Sequence, residues 1–202
     1  MKNLSKYFAE GVSALLPVYV KGVGDSTLLI TSDGEKRMIH RKLKTVIKRL
    51  VSQYSYDVVS LHKKYGELIS QKYKIPLPLH PNLILIPFKT RKPRIQGDYT
   101  YGYVNYKCIN KYLPTDKHSR IVLDNGFEIP LLQSYYTTRK NILNAAIIAK
   151  EFIRQYYGMQ ELKVDLQSIN DDFNSPATRS DIAMLNYSMG KLLQIIESLL
   201  SK

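Results

Sequence analysis

The spacing of apolar and polar positions changes period several times along the chain, and each change marks an element. Residues 15–31 hold two apolar runs, LLPVYV and TLLIT, joined by a glycine-rich turn at Gly22–Gly24. Short apolar runs bounded by turn residues predict two strands. Ser32-Asp33-Gly34 predicts a further turn, because Asp-Gly accepts the positive φ of a tight hairpin. Over residues 37–54 the period becomes helical: Ile39, Leu43, Val46, Ile47, Leu50 and Tyr54 form one stripe. On that helix Arg37, Arg41, Lys44 and Lys48 fall together on a different face, apolar on one side and cationic on another. A second segment over 57–69 continues it after a break near Ser55.

Residues 74–98 carry Pro76, Pro78, Pro81, Pro87 and Pro93, which predicts extended or turning chain rather than helix. Within it Leu83 to Ile86 reads as a short buried strand. KTRKPR (89–94) reads as a basic loop ending near Gly97. Residues 99–132 predict a β-meander. Its clearest signal is Asn125-Gly126 between the apolar runs Ile121–Leu123 and Phe127–Leu131. A broad apolar face over 138–157 predicts a helix that stops at Gly158. A connector over 159–174 follows, and Ser175-Pro176 then opens a last amphipathic helix running to about Leu200. The fold class is therefore α+β: an antiparallel sheet or meander with a basic amphipathic helix packed on it and two C-terminal helices. Residues 1–158 read as one domain. Residues 159–202 read as a connector and a helix that packs on the domain or self-associates.

Charge narrows the partners. Thirty Lys+Arg stand against seventeen Asp+Glu, a net +13 in 202 residues. Such a surplus favours polyanions, nucleic acid before anionic membrane. One cysteine, Cys108, excludes an internal disulfide and fits a reducing cytoplasm. No apolar run reaches the roughly 20 residues of a membrane span, and Glu10 interrupts the short apolar patch near the N-terminus, so no signal peptide is expected.

The stretch from Arg41 to Phe152 resembles the competence transcription factor (ComK) family. Four blocks in order carry the resemblance: KTVIKRLVSQYSYDVVSLHKKYGEL, IPLPLHPNLILIP, YGYVNYKCINKY and IVLDNGFEIPLLQSYYTTRKNILNAAIIAKEF. In the last, Asn125-Gly126, Ser134 and Tyr135 fall at the family's spacing. Tyr103 stands where the family usually has Trp, and Phe88 where it has Thr. The resemblance implies a DNA-binding activator of DNA-uptake genes, self-associating on paired AT-rich boxes read mainly from the minor groove. The meander and its Asn-Gly hairpin also look like the LytTR class of DNA-binding domains.

The residues offer two cationic surfaces for such a ligand. The helix stripe Arg37, Arg41, Lys44 and Lys48 places a cation every turn, about 5.4 Å apart, close to the spacing of backbone phosphates; it reads equally as a solvated face. The loop Lys89, Arg91, Lys92 and Arg94 is the stronger candidate. Arginines there, Arg91 and Arg94 above all, sense the negative potential of a narrow A/T-lined minor groove, and Pro93 stiffens the loop. Tyr99, Tyr101 and Tyr103 alternate beside it and read as base-stacking rings or, more simply, as a strand face on the core.

Catalytic chemistry has no comparable footing. His40, His62, His80 and His118 share no metal-ligand spacing, and no phosphate loop or nucleophile elbow occurs. The chain reads as a non-enzyme without cofactor or metal. Its expected partners are AT-rich duplex DNA, a second copy of itself and RNA polymerase, at the cytoplasmic nucleoid and not at a membrane. The competing class is a basic protein- or membrane-surface interaction module without sequence-specific DNA binding.

Overall fold

Antiparallel pairing organises the chain into two sheets. The structure, a computed structural model, describes Phe8 and residues 11–158. Its elements run β1 (Ala14–Val20), β2 (Gly24–Ile30), β3 (Lys36–Ile39), α1 (Leu43–Gln53), α2 (Val58–Leu68), β4 (Leu77–His80), β5 (Leu83–Lys89), β6 (Tyr101–Asn105), a 3-10 turn (Tyr106–Cys108), β7 (Ile109–Pro114), β8 (Ser119–Leu123), β9 (Glu128–Leu131) and α3 (Tyr135–Tyr156). The first sheet has six strands in the order β3-β2-β1-β6-β5-β4, the second three in the order β7-β8-β9.

The two faces of the six-stranded sheet bury different partners, as period-2 alternation dictates. Leu15, Leu29, Leu85 and Tyr103 point to one face, where Leu43, Val46, Ile47, Leu50 and Val51 of α1 and Leu61 and Tyr65 of α2 cover them. Ala14, Ile30, Ile86, Phe88 and Val104 point to the other, against Ile121, Leu123, Ile129 and Leu131 of the small sheet. Helix α3 serves both cores, with Ala145 on the sheet side and Ile148 and Phe152 on the helix side. Its N-cap is Ser134, whose Oγ accepts the Thr137 amide at 3.2 Å.

Several expectations hold. The α+β class, the β1–β2 hairpin, the β2–β3 turn, the break at Ser55 (φ 59°) and the α3 helix ending at Gly158 (φ 62°) are all present. The Asn125-Gly126 hairpin forms as a three-residue connection: Leu123 N donates to Phe127 O at 2.9 Å, with Gly126 at φ 78°. The last helix falls outside the described residues.

Two expectations are corrected. The helix expected over 37–54 begins only at Leu43. Residues 36–39 are strand, paired from Ile30↔Lys36 to Thr27↔Ile39. The mistaken boundary arose because Ile39 fits both periods and no Ser, Thr, Asp or Asn stands before Leu43 to mark a start. Lys42 occupies the N-cap without a capping bond. The meander expected over 99–132 is split, since β6 belongs to the large sheet. Asn105 makes the crossing. Buried at the end of β6, it donates through Nδ2 to Val12 O (3.1 Å) and Asn82 O (2.9 Å), and through Oδ1 it accepts the Ile84 amide (3.1 Å) and the Lys107 amide (3.2 Å).

Candidate nucleic-acid interface

Neighbouring strands in the large sheet are antiparallel throughout. Four connections therefore lie at one end: the β1–β2 turn 21–23, the β3–α1 link 40–42, the α2–β4 link 69–76 and the β5–β6 loop 90–100. These connections carry Lys21, Arg41, Lys42, Lys72, Lys74, Lys92 and Arg94, all exposed. None of the seven forms an ion pair among the described residues. The opposite end carries Asp33 and Glu35 in the β2–β3 turn. The fold thus collects cations from sequence-distant turns onto one rim.

Helix α1 extends this surface. Lys44, Lys48 and Arg49 lie exposed on its outer side, and the helix contains no acid. Cations at a helix N-terminus oppose the macrodipole, so Lys42 and Lys44 are placed against their local preference. The expected four-residue stripe does not exist as such. Arg37 lies on β3, where it pairs with Glu35 at 2.7 Å, and Arg41 lies in the link before α1. Only Lys44 and Lys48 share the helix.

The 90–100 loop is held by an internal brace that the sequence did not reveal. Tyr19, near the tip of β1, donates its hydroxyl to Asp98 Oδ2. The same oxygen accepts the Arg94 amide at 2.8 Å and the Ile95 amide at 3.0 Å. The Tyr19 hydroxyl and these amides hold the Asp98 carboxyl at about 2. Both Arg91 and Arg94 stack on the Tyr19 ring, each guanidinium carbon 4.1 Å from its centroid. At the loop's tip Lys92, Pro93, Arg94 and Ile95 are exposed, Ile95 by 71%.

This brace separates residues that the sequence grouped together. Arg91 Nη2 pairs with Asp25 at 2.8 Å, and the Arg91 side chain is only 12% exposed. Its Nε donates to Tyr99 O at 2.8 Å. Arg91 therefore supports the loop and does not project as a free groove-sensing side chain. Lys89 is likewise not in the loop: it ends β5, where its amide donates to Gln133 Oε1 and its carbonyl accepts the Leu132 amide. Lys92 and Arg94 remain as the projecting pair.

The tyrosines resolve in favour of the core. Tyr103 is 5% exposed and Tyr99 packs against the same cluster, their hydroxyls 3.1 Å apart. Burial and the Tyr99 neighbour push the Tyr103 hydroxyl pKa upward. Tyr101 lies beneath Lys74, whose Nζ is 4.4 Å from its ring centroid. The exposed aromatic on this rim is Tyr73, 79% accessible between Lys72 and Lys74. The Lys-Tyr-Lys spelling was visible in the sequence, but only the strand order brings it beside the other turns.

Among the described residues no three His, Cys, Asp or Glu side chains gather as metal ligands, and no helix is long and apolar enough to cross a membrane. No family model, curated protein or solved structure matches this chain.

Proposed function

We propose that this protein is a DNA-binding transcriptional activator of the kind its sequence resembles, reading AT-rich duplex boxes through the minor groove at DNA-uptake genes. One observation carries the reading: turns distant in sequence deliver to a single end of one sheet seven cations that form no ion pair among the described residues. Counterion release from phosphates would give such a rim general affinity for duplex DNA. Arg94, raised on a stiff, braced loop beside Pro93, supplies the groove-width sensor. Lys92, Lys21, Lys72, Lys74, Arg41, Lys42, Lys44 and Lys48 supply phosphate contacts. Self-association, contact with RNA polymerase and a place at the cytoplasmic nucleoid follow from the same reading, since paired boxes need paired binding surfaces.

The test is an anisotropy titration against a duplex with tandem AT boxes and against one with those boxes replaced by GC, repeated over a salt series. Affinity is expected to fall steeply with salt and to prefer the AT duplex. Equal affinity for both duplexes overturns the proposal.

A second reading, a basic protein- or membrane-surface interaction module, is favoured by one feature of α3. Tyr136, Leu143 and Ile147 recur on one side of that helix and are 77%, 54% and 50% exposed. Binding to a protein or an anionic vesicle with no duplex preference would select it.

A further inference from the structure

A cavity of about 230 Å³ opens between α2 and α3, away from the loop rim. Most of its surface is aromatic and apolar, from Tyr56, Leu61, Tyr65, Phe152 and Tyr156, and Ser60 and Gln155 line it with Asp57 and Lys64. The rings meet in edge and tilted pairs, with Phe152 6.3 Å from Tyr56, 6.5 Å from Tyr65 and 5.9 Å from Tyr156. They surround the space without filling it.

Tyr65 is the informative member. It is 2% exposed, and its hydroxyl has no hydrogen-bond partner among the described residues. Burial, with Tyr56 and Glu151 nearby, pushes its pKa up to about 12, so it stays a neutral donor and acceptor. The hydroxyl is not sealed off like the buried polar atoms that lack a partner; Tyr65 lines the cavity, so its hydroxyl is free to bond a polar group on an occupant. Charge at the mouth is balanced. Lys64 lines the cavity and donates to Gln155 Oε1 at 2.6 Å, while Asp57 caps α2 beside it and Glu151 lies close enough to act on both Lys64 and Tyr65. That balance gives an anion or a cation no net attraction.

We propose that this cavity binds a small neutral aromatic molecule with one hydrogen-bonding group, of the phenol or indole class. The ring packs among Tyr56, Phe152 and Tyr156, and the polar group bonds the Tyr65 hydroxyl. This site is independent of the DNA reading and stands or falls without it.

The test is an NMR titration of the full chain with indole and, separately, with phenol, following the Leu61 methyl and Phe152 ring signals. Saturable shifts confined to the cavity residues are expected. Tyr65→Phe keeps the ring and the fold and should weaken binding about fivefold, the effect of one hydrogen bond. Benzoate should bind more weakly than phenol, because its carboxylate would lose hydration in an apolar cavity whose balanced mouth offers it no net attraction. The proposal is overturned by either of two results: no saturable shift up to the solubility limit, or unchanged affinity in Tyr65→Phe.

Discussion

Arg94 rests its guanidinium 4.1 Å from the ring centroid of Tyr19, while its amide and the Tyr19 hydroxyl share one oxygen of Asp98. A projecting arginine is thereby anchored at both ends, its main chain by Asp98 of the same loop and its side chain by Tyr19 of the β1–β2 hairpin. Such anchoring lowers the ordering cost of a loop that must meet a ligand. Tyr19→Leu removes both ring and hydroxyl. It should lower duplex affinity roughly fivefold, about the value of one exposed cation–π contact. Tyr19→Phe keeps the stack and should fall between. Amide hydrogen exchange at Arg94 and Ile95 should accelerate in the same order. Unchanged exchange in Tyr19→Leu would show that the brace does not hold the loop.

The Asp98 carboxyl makes the brace pH-dependent in a definite direction. Its bonds to the Tyr19 hydroxyl and the two amides lower its pKa from an ordinary 3.8 to about 2. A carboxyl that is a stronger acid when folded stabilises the loop fully above the ordinary value. That support is lost as pH falls through the folded one. Loop order should therefore persist through the neutral range and decay between about pH 4 and pH 2. A carbon-detected NMR titration of Asp98 should give a midpoint near 2; a midpoint near 4 would mean the three donors are not engaged.

Much of the fold was legible because its signals are local. Asp33-Gly34, Asn125-Gly126 and the break near Ser55 act within a few residues, and each marks an element end. The apolar face of α3 did not reveal the cap at Ser134, and the helix starts at Tyr135 rather than at residue 138. The start of α1 was not legible, because strand β3 is decided by its register with β2, a partner distant in the chain, and Lys42 leaves no capping signature. The interface was half legible for the same reason. KTRKPR is visibly cationic, but its division into a buried Arg91 and an exposed Arg94 depends on Asp25 and Tyr19 in the β1–β2 hairpin. No periodicity encodes contacts across 66 to 79 residues.

Asn105 should matter more to stability than any residue of the rim. Its amide satisfies two carbonyls and two amides where the chain leaves the large sheet for the small one. Asn105→Ala strands buried groups without partners and is expected to cost about 2–4 kcal/mol. Urea unfolding should reveal this as a lower midpoint with an unchanged slope. A cost below about 0.5 kcal/mol would mean water replaces the side chain there.

Gly66 couples α2 to the rim. A Cβ at this position would lie 2.6 Å from Gln71 O and 2.7 Å from Ile75 Cδ1, so the link carrying Lys72 and Lys74 packs directly on the bare helix backbone. Replacing a mid-helix glycine by alanine ordinarily gains about 1 kcal/mol in propensity. Here the substitution must push backbone aside, so Gly66→Ala should destabilise the protein and weaken duplex binding together. A stabilised variant with native affinity would show that the link moves freely.

The sharpest prediction separates the two arginines that the sequence treats alike. Arg94 is exposed, whereas Arg91 is almost enclosed and pairs with an equally enclosed Asp25. Arg94→Ala removes a cation from the surface and leaves the core untouched. Its thermal midpoint should stay native, its duplex affinity should drop, and its salt slope should shrink by about one. Arg91→Ala leaves Asp25 without its cation and Tyr99 O without its donor. It should lose about 2 kcal/mol of stability, and its salt slope should stay native because Arg91 faces no phosphate. Measuring stability and salt dependence on the same two variants distinguishes brace from contact. Were Arg91→Ala to reduce the salt slope while leaving stability alone, Arg91 would be the side chain that reaches DNA, and the roles assigned to the pair would have to be exchanged.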